Sequence, residues 1–235
     1  MIDAHGRQKF DPIFERLAAR LIHWGLTPNQ VTFIALVLGL AAGLVLYFEA
    51  YIPAVILLWL SGLFDVLDGQ MARRLGKASM WGALVDIVCD RLVELFIIWG
   101  LALRRPDCLI PLLFLTSCIL ISMTVFLTTG LYAEKLRQKG RLDAVEAGAG
   151  KRSAGGQKPG QARSQHVEGV IKSFYYQAGL MERTEGFIAF SCLMLFPGRL
   201  ALLSWIYSGL IIFTIGQRLA EARRLFRVAE LHTDS

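Results

Sequence analysis

Four aspartates at short, regular spacings are the residues of this sequence best suited to chemistry. Asp65 and Asp68 are three positions apart, and Asp86 and Asp90 are four positions apart. On a helix, either spacing places both side chains on one face, about a turn apart. Four convergent carboxylates repel one another unless cations neutralise them, and their oxygens suit hard ions such as Mg²⁺ or Mn²⁺. The aspartates therefore predict a divalent-metal site.

The residues around the aspartates indicate what such a metal would act on. Gly69, Ala72 and Gly82 are small, which allows either close approach of two helices or room for a flat ligand. Arg73 lies five positions after Asp68, and a guanidinium can bind a phosphate through two hydrogen bonds. Carboxylates, a divalent metal and an arginine together are typical of a diphosphate site. The alternative for Arg73 is an anchor at a membrane surface.

The segments that carry the aspartates are more apolar than those of a soluble protein. Of the 235 residues, 54% are hydrophobic and 19% are charged, and the mean hydropathy is +0.48. About 20 consecutive apolar residues cross a bilayer. Six segments are candidates: 31–50, 52–72, 80–101, 109–131, 184–197 and 200–218. The sequence therefore predicts an all-α, polytopic membrane bundle of about six transmembrane helices, with the aspartates on the second and third.

An amphipathic helix is predicted before the first span. Residues 10–24 alternate apolar and charged side chains at helical spacing, which favours the headgroup region over the surface of a soluble protein. Thr27 and Pro28 are a cap and first residue for the next helix. We expect a cytosolic segment 1–27, a transmembrane catalytic domain 28–220 with a flexible cytosolic loop at about 140–170, and a cytosolic tail 221–235.

The net charge of +6 is compatible with either nucleic acid or an anionic membrane surface as a partner. If the N-terminus is cytosolic, 21 of the 25 Lys and Arg residues fall on the cytosolic side, as the positive-inside rule requires. The charge therefore predicts a multi-pass membrane protein with cytosolic termini and no nucleic-acid partner. The small six-span plan favours a prokaryotic plasma membrane.

The motif resembles the signature of the CDP-alcohol phosphatidyltransferases. It runs Asp-x-x-Asp-Gly-x-x-Ala-Arg, eight residues, then Gly-x-x-x-Asp-x-x-x-Asp, and every fixed position from Asp65 to Asp90 is met. The Thr-Pro-Asn start of the first span and the six-helix plan are also similar to the family. The resemblance implies an enzyme of phospholipid biosynthesis. It would move a phosphatidyl group from CDP-diacylglycerol to a polar alcohol or phosphoalcohol, release CMP, and act as a homodimer among membrane lipids.

The resemblance also implies roles for individual residues. Asp65, Asp68 and Asp86 would hold two Mg²⁺ or Mn²⁺ ions against the diphosphate. Asp90 would complete the metal shell and act as general base toward the acceptor hydroxyl. The candidates for contact with the CDP-lipid are Gly69, Arg73, Ser79 and Asn29.

Several of the remaining polar residues have two interpretations. Ser79 is as well suited to capping the third span as to touching a ligand. A phosphorylated acceptor would need basic residues near the site, and the candidates, which also suit membrane anchoring, are Lys135, Arg137 and Arg183. Arg91 should face away from Asp90 and pair with Glu94 or a neighbouring helix.

Two other functions stay open at this point. A phosphotransferase of the same chemistry would move a phosphoalcohol from a soluble CDP-alcohol to diacylglycerol. A carboxylate-lined cation transporter would explain the acidic residues but not the pattern of Gly69, Ala72, Arg73 and Gly82. The acceptor alcohol is also open among glycerol phosphate, inositol phosphate, serine and inositol.

Overall fold

The structure, a computed structural model, describes residues 2–149 and 181–230. Over these two ranges the chain forms α-helices and short 3₁₀ turns and no strand, which confirms the all-α prediction. The helices are α1 (Ile2–His23), α2 (Pro28–Tyr47), α3 (Tyr51–Arg74), α4 (Met80–Arg104), α5 (Leu109–Ala149), α6 (Met181–Leu195) and α7 (Leu200–Glu230). The chain divides into two compact units, 1–116 with 183–207 and 117–182 with 208–235. All four aspartates belong to the first unit.

Four helical segments of the described ranges are long and apolar enough to cross a membrane. They are Pro28–Tyr47, Tyr51–Arg74, Pro106–Lys135 and Pro197–Arg224. The first, second, fourth and sixth predicted spans are thus confirmed as candidates. Helix α4 has 25 residues but carries charged side chains along its middle, and α6 has only 15 residues. The third and fifth spans therefore stay predictions in an otherwise multi-pass membrane protein.

Side-chain caps fix where α2 and α4 begin. The Thr27 hydroxyl accepts from the backbone N–H of Gln30 at 3.4 Å, and the Gln30 side chain accepts from the Thr27 N–H at 2.9 Å. These reciprocal bonds form a capping box, with Pro28 as the first helical residue. The Ser79 hydroxyl accepts from the Gly82 N–H at 3.0 Å. The predicted cap at Thr27 and the capping interpretation of Ser79 are both confirmed.

Helix α2 packs against both α3 and α4. A methyl group added at Gly43 would lie 2.5 Å from the carbonyl oxygen of Phe96, and one added at Gly100 would overlap the carbonyl of Gly43. The backbones of α2 and α4 are therefore in direct contact, as small residues permit in membrane helices. On the other side of α2, the Ser61 hydroxyl of α3 donates to the Ala35 carbonyl at 2.7 Å. These contacts fix both aspartate-bearing helices on one support.

Helix α1 contains the predicted amphipathic segment and packs against the last turns of α3. Its buried Ala18 and Leu21 lie in one cluster with Leu67 and Met71 of α3, while its opposite face is exposed. Arg74 also reaches a backbone carbonyl of α1 at 3.5 Å. The helical prediction for residues 10–24 is confirmed.

Two helices run further than the sequence predicts. Helix α5 continues to Ala149, so the expected loop cannot begin at 140, and its remaining residues 150–170 lie outside the described ranges. Helix α7 continues to Glu230, so most of the expected tail is helical. Both extensions are rich in Ala, Leu, Glu, Lys and Arg, which favour a helix beyond the length that a bilayer requires.

The turns after α2, α4 and α6 are joined by arginines in the first unit. Arg104 forms an ion pair with Glu49, whose φ of 60° lies in the left-handed region. Arg105 donates to both carboxylate oxygens of Asp107, at 2.9 and 2.8 Å, and to the Pro197 carbonyl at 2.7 Å. These bonds join the end of α4, which carries Asp86 and Asp90, to the turns that follow α2 and α6.

The second unit contains a buried arginine. Arg218 of α7 is 8% exposed, donates to the Ser122 carbonyl of α5 at 3.3 Å, and lies 4.8 Å from the centre of the Phe126 ring. These contacts partly compensate the cost of a buried charge.

Candidate metal centre

Three carboxylates from two helices meet in the first unit. Asp65 and Asp68 of α3 and Asp86 of α4 each offer one oxygen, and these oxygens all lie within 4.8 Å of one another. Asp68 is only 7% exposed. Ligand oxygens around one Mg²⁺ ion lie about 3 to 4 Å apart, so small rotations of the side chains would bring the three into one shell. The all-oxygen donor set fits Mg²⁺ or Mn²⁺.

Asp90 lies near this group but is not one of its three members. It follows Asp86 by one turn of α4 and is half-buried. All four aspartates lie within electrostatic range of the Cys89 thiol, so Asp90 shares their surroundings. The motif therefore separates into three carboxylates in a tight group and a fourth beside it.

Gly69 and Arg73 form a second feature of the site. A methyl group added at Gly69 would meet only the Arg73 guanidinium, whose nearest nitrogen would be 3.5 Å away. The guanidinium therefore lies back over Gly69, one turn toward the aspartates. Among the described residues no other helix packs at this position, so close helix approach does not explain Gly69. An open surface beside a cation is what an anionic ligand requires.

Gly82 is small for a different reason. A methyl group there would lie 3.2 Å from the Ser79 hydroxyl, which is the cap of α4, and no other helix in the described part of the chain comes within 4 Å. Close helix approach is therefore also wrong for Gly82. The close approaches occur instead at glycines that the motif does not include: Gly39, Gly43, Gly62 and Gly100. The signal in the sequence was the spacing Ala35-x-x-x-Gly39-x-x-x-Gly43, a pattern of small residues that favours helix contact in membranes.

Arg91 forms an ion pair with Glu94, which confirms the expectation for it. The two side chains are 2.5 Å apart at their nearest atoms and are 28% and 25% exposed. Arg91 directly follows Asp90 on α4, and Glu94 lies one turn beyond Asp90.

The other predicted site residues are distributed over several elements of the fold. Asn29 is exposed at the second position of α2, and Ser79 is exposed and engaged in its cap. Lys135 is exposed on α5 in the second unit, 5.8 Å from the centre of the Tyr132 ring. Arg137 also belongs to α5, and Arg183 belongs to α6. Contact of these residues with a substrate stays a prediction.

Comparison with known proteins places the chain among lipid-synthesising enzymes. A family model described as CDP-alcohol phosphatidyltransferase matches residues 25–154. The phosphatidylinositol phosphate synthase of Mycobacterium marinum is 33% identical over 156 residues, which cover 61% of this chain and 67% of that protein. The archaetidylinositol phosphate synthase of Pyrococcus horikoshii is 38% identical over 97 residues, 41% of this chain and 52% of that protein. The chain thus spans about half the length of this second relative.

Solved structures share the fold. The phosphatidylinositol phosphate synthase of Mycobacterium tuberculosis in complex with manganese and citrate matches with a TM-score of 0.54 and 23% identity, covering 89% of this chain and 88% of that one. A structure of the same enzyme with CDP-DAG bound matches with a TM-score of 0.53 and 24% identity, over 90% and 94% of the two chains. At this identity the likeness establishes the fold.

Proposed function

Because the chain belongs to the CDP-alcohol phosphatidyltransferase family, we propose that it moves a phosphatidyl group from CDP-diacylglycerol to a polar alcohol and releases CMP. The observation that carries this proposal is the group of Asp65, Asp68 and Asp86, with oxygens within 4.8 Å, next to an arginine over an open glycine. The structure of a relative with the same fold and CDP-DAG bound supports the choice of donor.

The three grouped aspartates would hold the divalent metal, as one ion or two. Their oxygens are the ligands that Mg²⁺ and Mn²⁺ prefer, and a relative with this fold has been solved with manganese. A bound divalent metal supplies positive charge that offsets the charge of the diphosphate and of the departing CMP. By fixing the position of the metal's positive charge, the aspartates would orient the diphosphate of the donor.

Arg73 and Gly69 would bind the nucleotide side of the donor. The Arg73 guanidinium lies over Gly69 and can present two N–H groups to one phosphate. Since Gly69 has no side chain, the ligand can approach the backbone of α3 there. Ser79 and Asn29, both exposed at helix starts, are further candidates on this side.

Asp90 would act as the general base. A carboxylate within hydrogen-bond reach of the acceptor can take the hydroxyl proton while the oxygen attacks phosphorus. The new P–O bond forms to the phosphatidyl phosphorus, the P–O bond of the diphosphate breaks, and CMP leaves with that electron pair. The position of Asp90 beside the group of three aspartates, rather than within it, suits a residue that must face the acceptor.

We propose an inositol phosphate as the acceptor. The two relatives named above differ in the lipid part of their product name and agree in its headgroup, inositol phosphate. An acceptor phosphate would be bound by basic side chains, for which Lys135, Arg137 and Arg183 are the candidates. The reaction would take place at the cytosolic face of a prokaryotic plasma membrane by a homodimer with cytosolic termini.

A panel of acceptors tests this function. The full chain, with CDP-diacylglycerol and Mg²⁺ or Mn²⁺, is given inositol phosphate, glycerol phosphate, inositol or serine, and CMP and lipid products are measured by mass. We expect product with inositol phosphate, none with Asp90→Asn, and wild-type yield with Glu221→Gln, an exposed carboxylate on α7. Product only from a soluble CDP-alcohol and diacylglycerol would reverse the donor assignment. Product with another acceptor would replace the inositol phosphate proposal alone.

A further inference from the structure

The exposed face of α1 carries an ordered set of apolar and cationic side chains. Ile13, Arg16, Arg20 and Trp24 follow one another at spacings of three or four, so they form one stripe along the helix. All four are exposed, Ile13 by 48% and Trp24 by 73%. Trp24 continues the helical turn through the bond from its N–H to the Arg20 carbonyl, at 3.0 Å. We call these four residues the outer stripe.

The opposite face of α1 packs beside a metal-site aspartate. Ala18 and Leu21 are buried with Leu67 and Met71 of α3. Leu67 directly precedes Asp68, and Met71 follows it by three positions. Met71 is fully buried and Leu67 is 3% exposed, so a shift of α3 here would disturb its packing against α1. The inner face therefore supports the segment of α3 that positions Asp68.

The position of α1 indicates what covers the outer stripe. The helix packs on the last turns of α3, and α3 is long and apolar enough to span a membrane, so α1 lies where a span ends and headgroups begin. Among the residues whose side chains the structure describes, no ion pair involves Arg16 or Arg20. Two exposed guanidiniums between an isoleucine and a tryptophan match anionic headgroups above acyl chains. Nucleic acid offers no complement for the apolar ends of the stripe.

We propose that the outer stripe binds anionic lipid headgroups, and that this contact holds α1 on α3 and so supports the position of Asp68. The partner is the anionic membrane surface itself, bound at a place separate from the metal centre. Lipid composition would thereby influence the order of the site without contact between lipid headgroups and the aspartates.

Hydrogen exchange of the full chain in nanodiscs tests the proposal without substrate. Discs of phosphatidylcholine alone are compared with discs that contain phosphatidylglycerol, with EDTA present so that divalent ions cannot bridge the lipid. Each arginine near an anionic surface contributes about a fivefold change, so protection of amides 13–24 should rise about 30-fold with phosphatidylglycerol. The rise should disappear in Arg16→Gln/Arg20→Gln and persist in the lysine pair Arg16→Lys/Arg20→Lys.

The control pair is Arg223→Gln/Arg224→Gln, two exposed arginines of α7 in the second unit, which removes the same two charges and keeps the sequence of α1. It should keep the full effect of phosphatidylglycerol on α1. Equal protection of α1 in both lipids, or equal loss of the effect in the α7 pair, would overturn lipid binding by the stripe. Protection of 13–24 without any change at 64–74 would overturn the link to α3. Because no turnover is measured, failure here leaves the proposed function standing, and failure of the acceptor panel leaves this inference standing.

Discussion

Two glycines in the same unit should respond in opposite ways to the same substitution. Gly69 lies in the motif, and Gly100 lies in the contact between α2 and α4. A methyl group at Gly69 would meet only a guanidinium nitrogen at 3.5 Å, which is an ordinary contact. A methyl group at Gly100 would overlap the backbone carbonyl of Gly43, which cannot rotate away. Alanine at the two positions therefore separates the ligand surface from the packing surface.

The expected free energies follow from these contacts. Replacing a helical glycine by alanine gains about 0.5–1 kcal/mol from backbone propensity. At Gly69 nothing opposes this gain, so the unfolding midpoint should be unchanged or slightly raised. At Gly100 the overlap costs about 1–3 kcal/mol or more, because the two backbones must move apart, and the midpoint should fall. Activity should show the reverse order, since the Gly69 methyl occupies the space that a nucleotide needs beside Arg73.

Both variants are purified in the same detergent and followed by thermal unfolding and by CMP release. We expect Gly69→Ala to lose at least about tenfold in kcat/KM, equivalent to about 1.4 kcal/mol, with its unfolding midpoint retained. Gly100→Ala should lose stability, and its remaining folded fraction should turn over normally. A Gly69→Ala variant with full activity and a lowered midpoint would refute the assignment of Gly69 to the ligand surface.

Four further outcomes are expected. Asp90→Asn should abolish CMP release. Because Asp90 is outside the group of three, the Mn²⁺ dissociation constant measured by electron paramagnetic resonance should change by less than tenfold. Loss of Mn²⁺ binding would show instead that Asp90 is a principal ligand. Arg73→Gln should raise KM for the donor, whereas Arg74→Gln, which only loses a contact with α1, should not, as steady-state kinetics will show. Arg91→Met should lower unfolding stability by about 2 kcal/mol, because the half-buried Glu94 loses its ion pair with Arg91, and Arg91→Met/Glu94→Leu should recover most of it. Removal of divalent ions with EDTA should abolish CMP release and lower the unfolding midpoint, and added Mg²⁺ or Mn²⁺ at 100 times its dissociation constant should restore about 2.7 kcal/mol.

The parts of the fold that follow local rules were predictable from the sequence. Thr27 and Ser79 cap helices because their hydroxyls satisfy the first N–H groups, a demand that depends on neighbours in the chain alone. The spacing of Asp65 and Asp68 fixes a shared helix face in the same way. The ends of α5 and α7 were not predictable. The hydropathy of the sequence indicates where an apolar span ends, but the helix that contains the span can continue past that point.

The contacts between helices required the structure. From the sequence, Gly69 and Gly82 suit either helix approach or ligand space. Within the described ranges no neighbouring helix lies against either glycine; Gly69 faces Arg73, and Gly82 faces the Ser79 cap. The sequence also did not indicate that Gly43 and Gly100 touch, because they lie on different helices and their pairing depends on the rotation of both. The metal-site motif was therefore visible in one stretch of sequence. The contacts that hold its two helices involve α1, α2 and the end of α4, which lie outside that stretch.

Those contacts explain how the three carboxylates can converge. Carboxylates whose oxygens lie within 4.8 Å repel one another when they are ionised, so packing away from the aspartates has to help hold the two helices at this separation. That packing is provided by α2, through the Gly43–Gly100 backbone contact and the Ser61–Ala35 hydrogen bond, and by α1 beside Asp68. The small residues of α2 therefore contribute to the metal centre, because they let α2 approach the two helices that carry the aspartates.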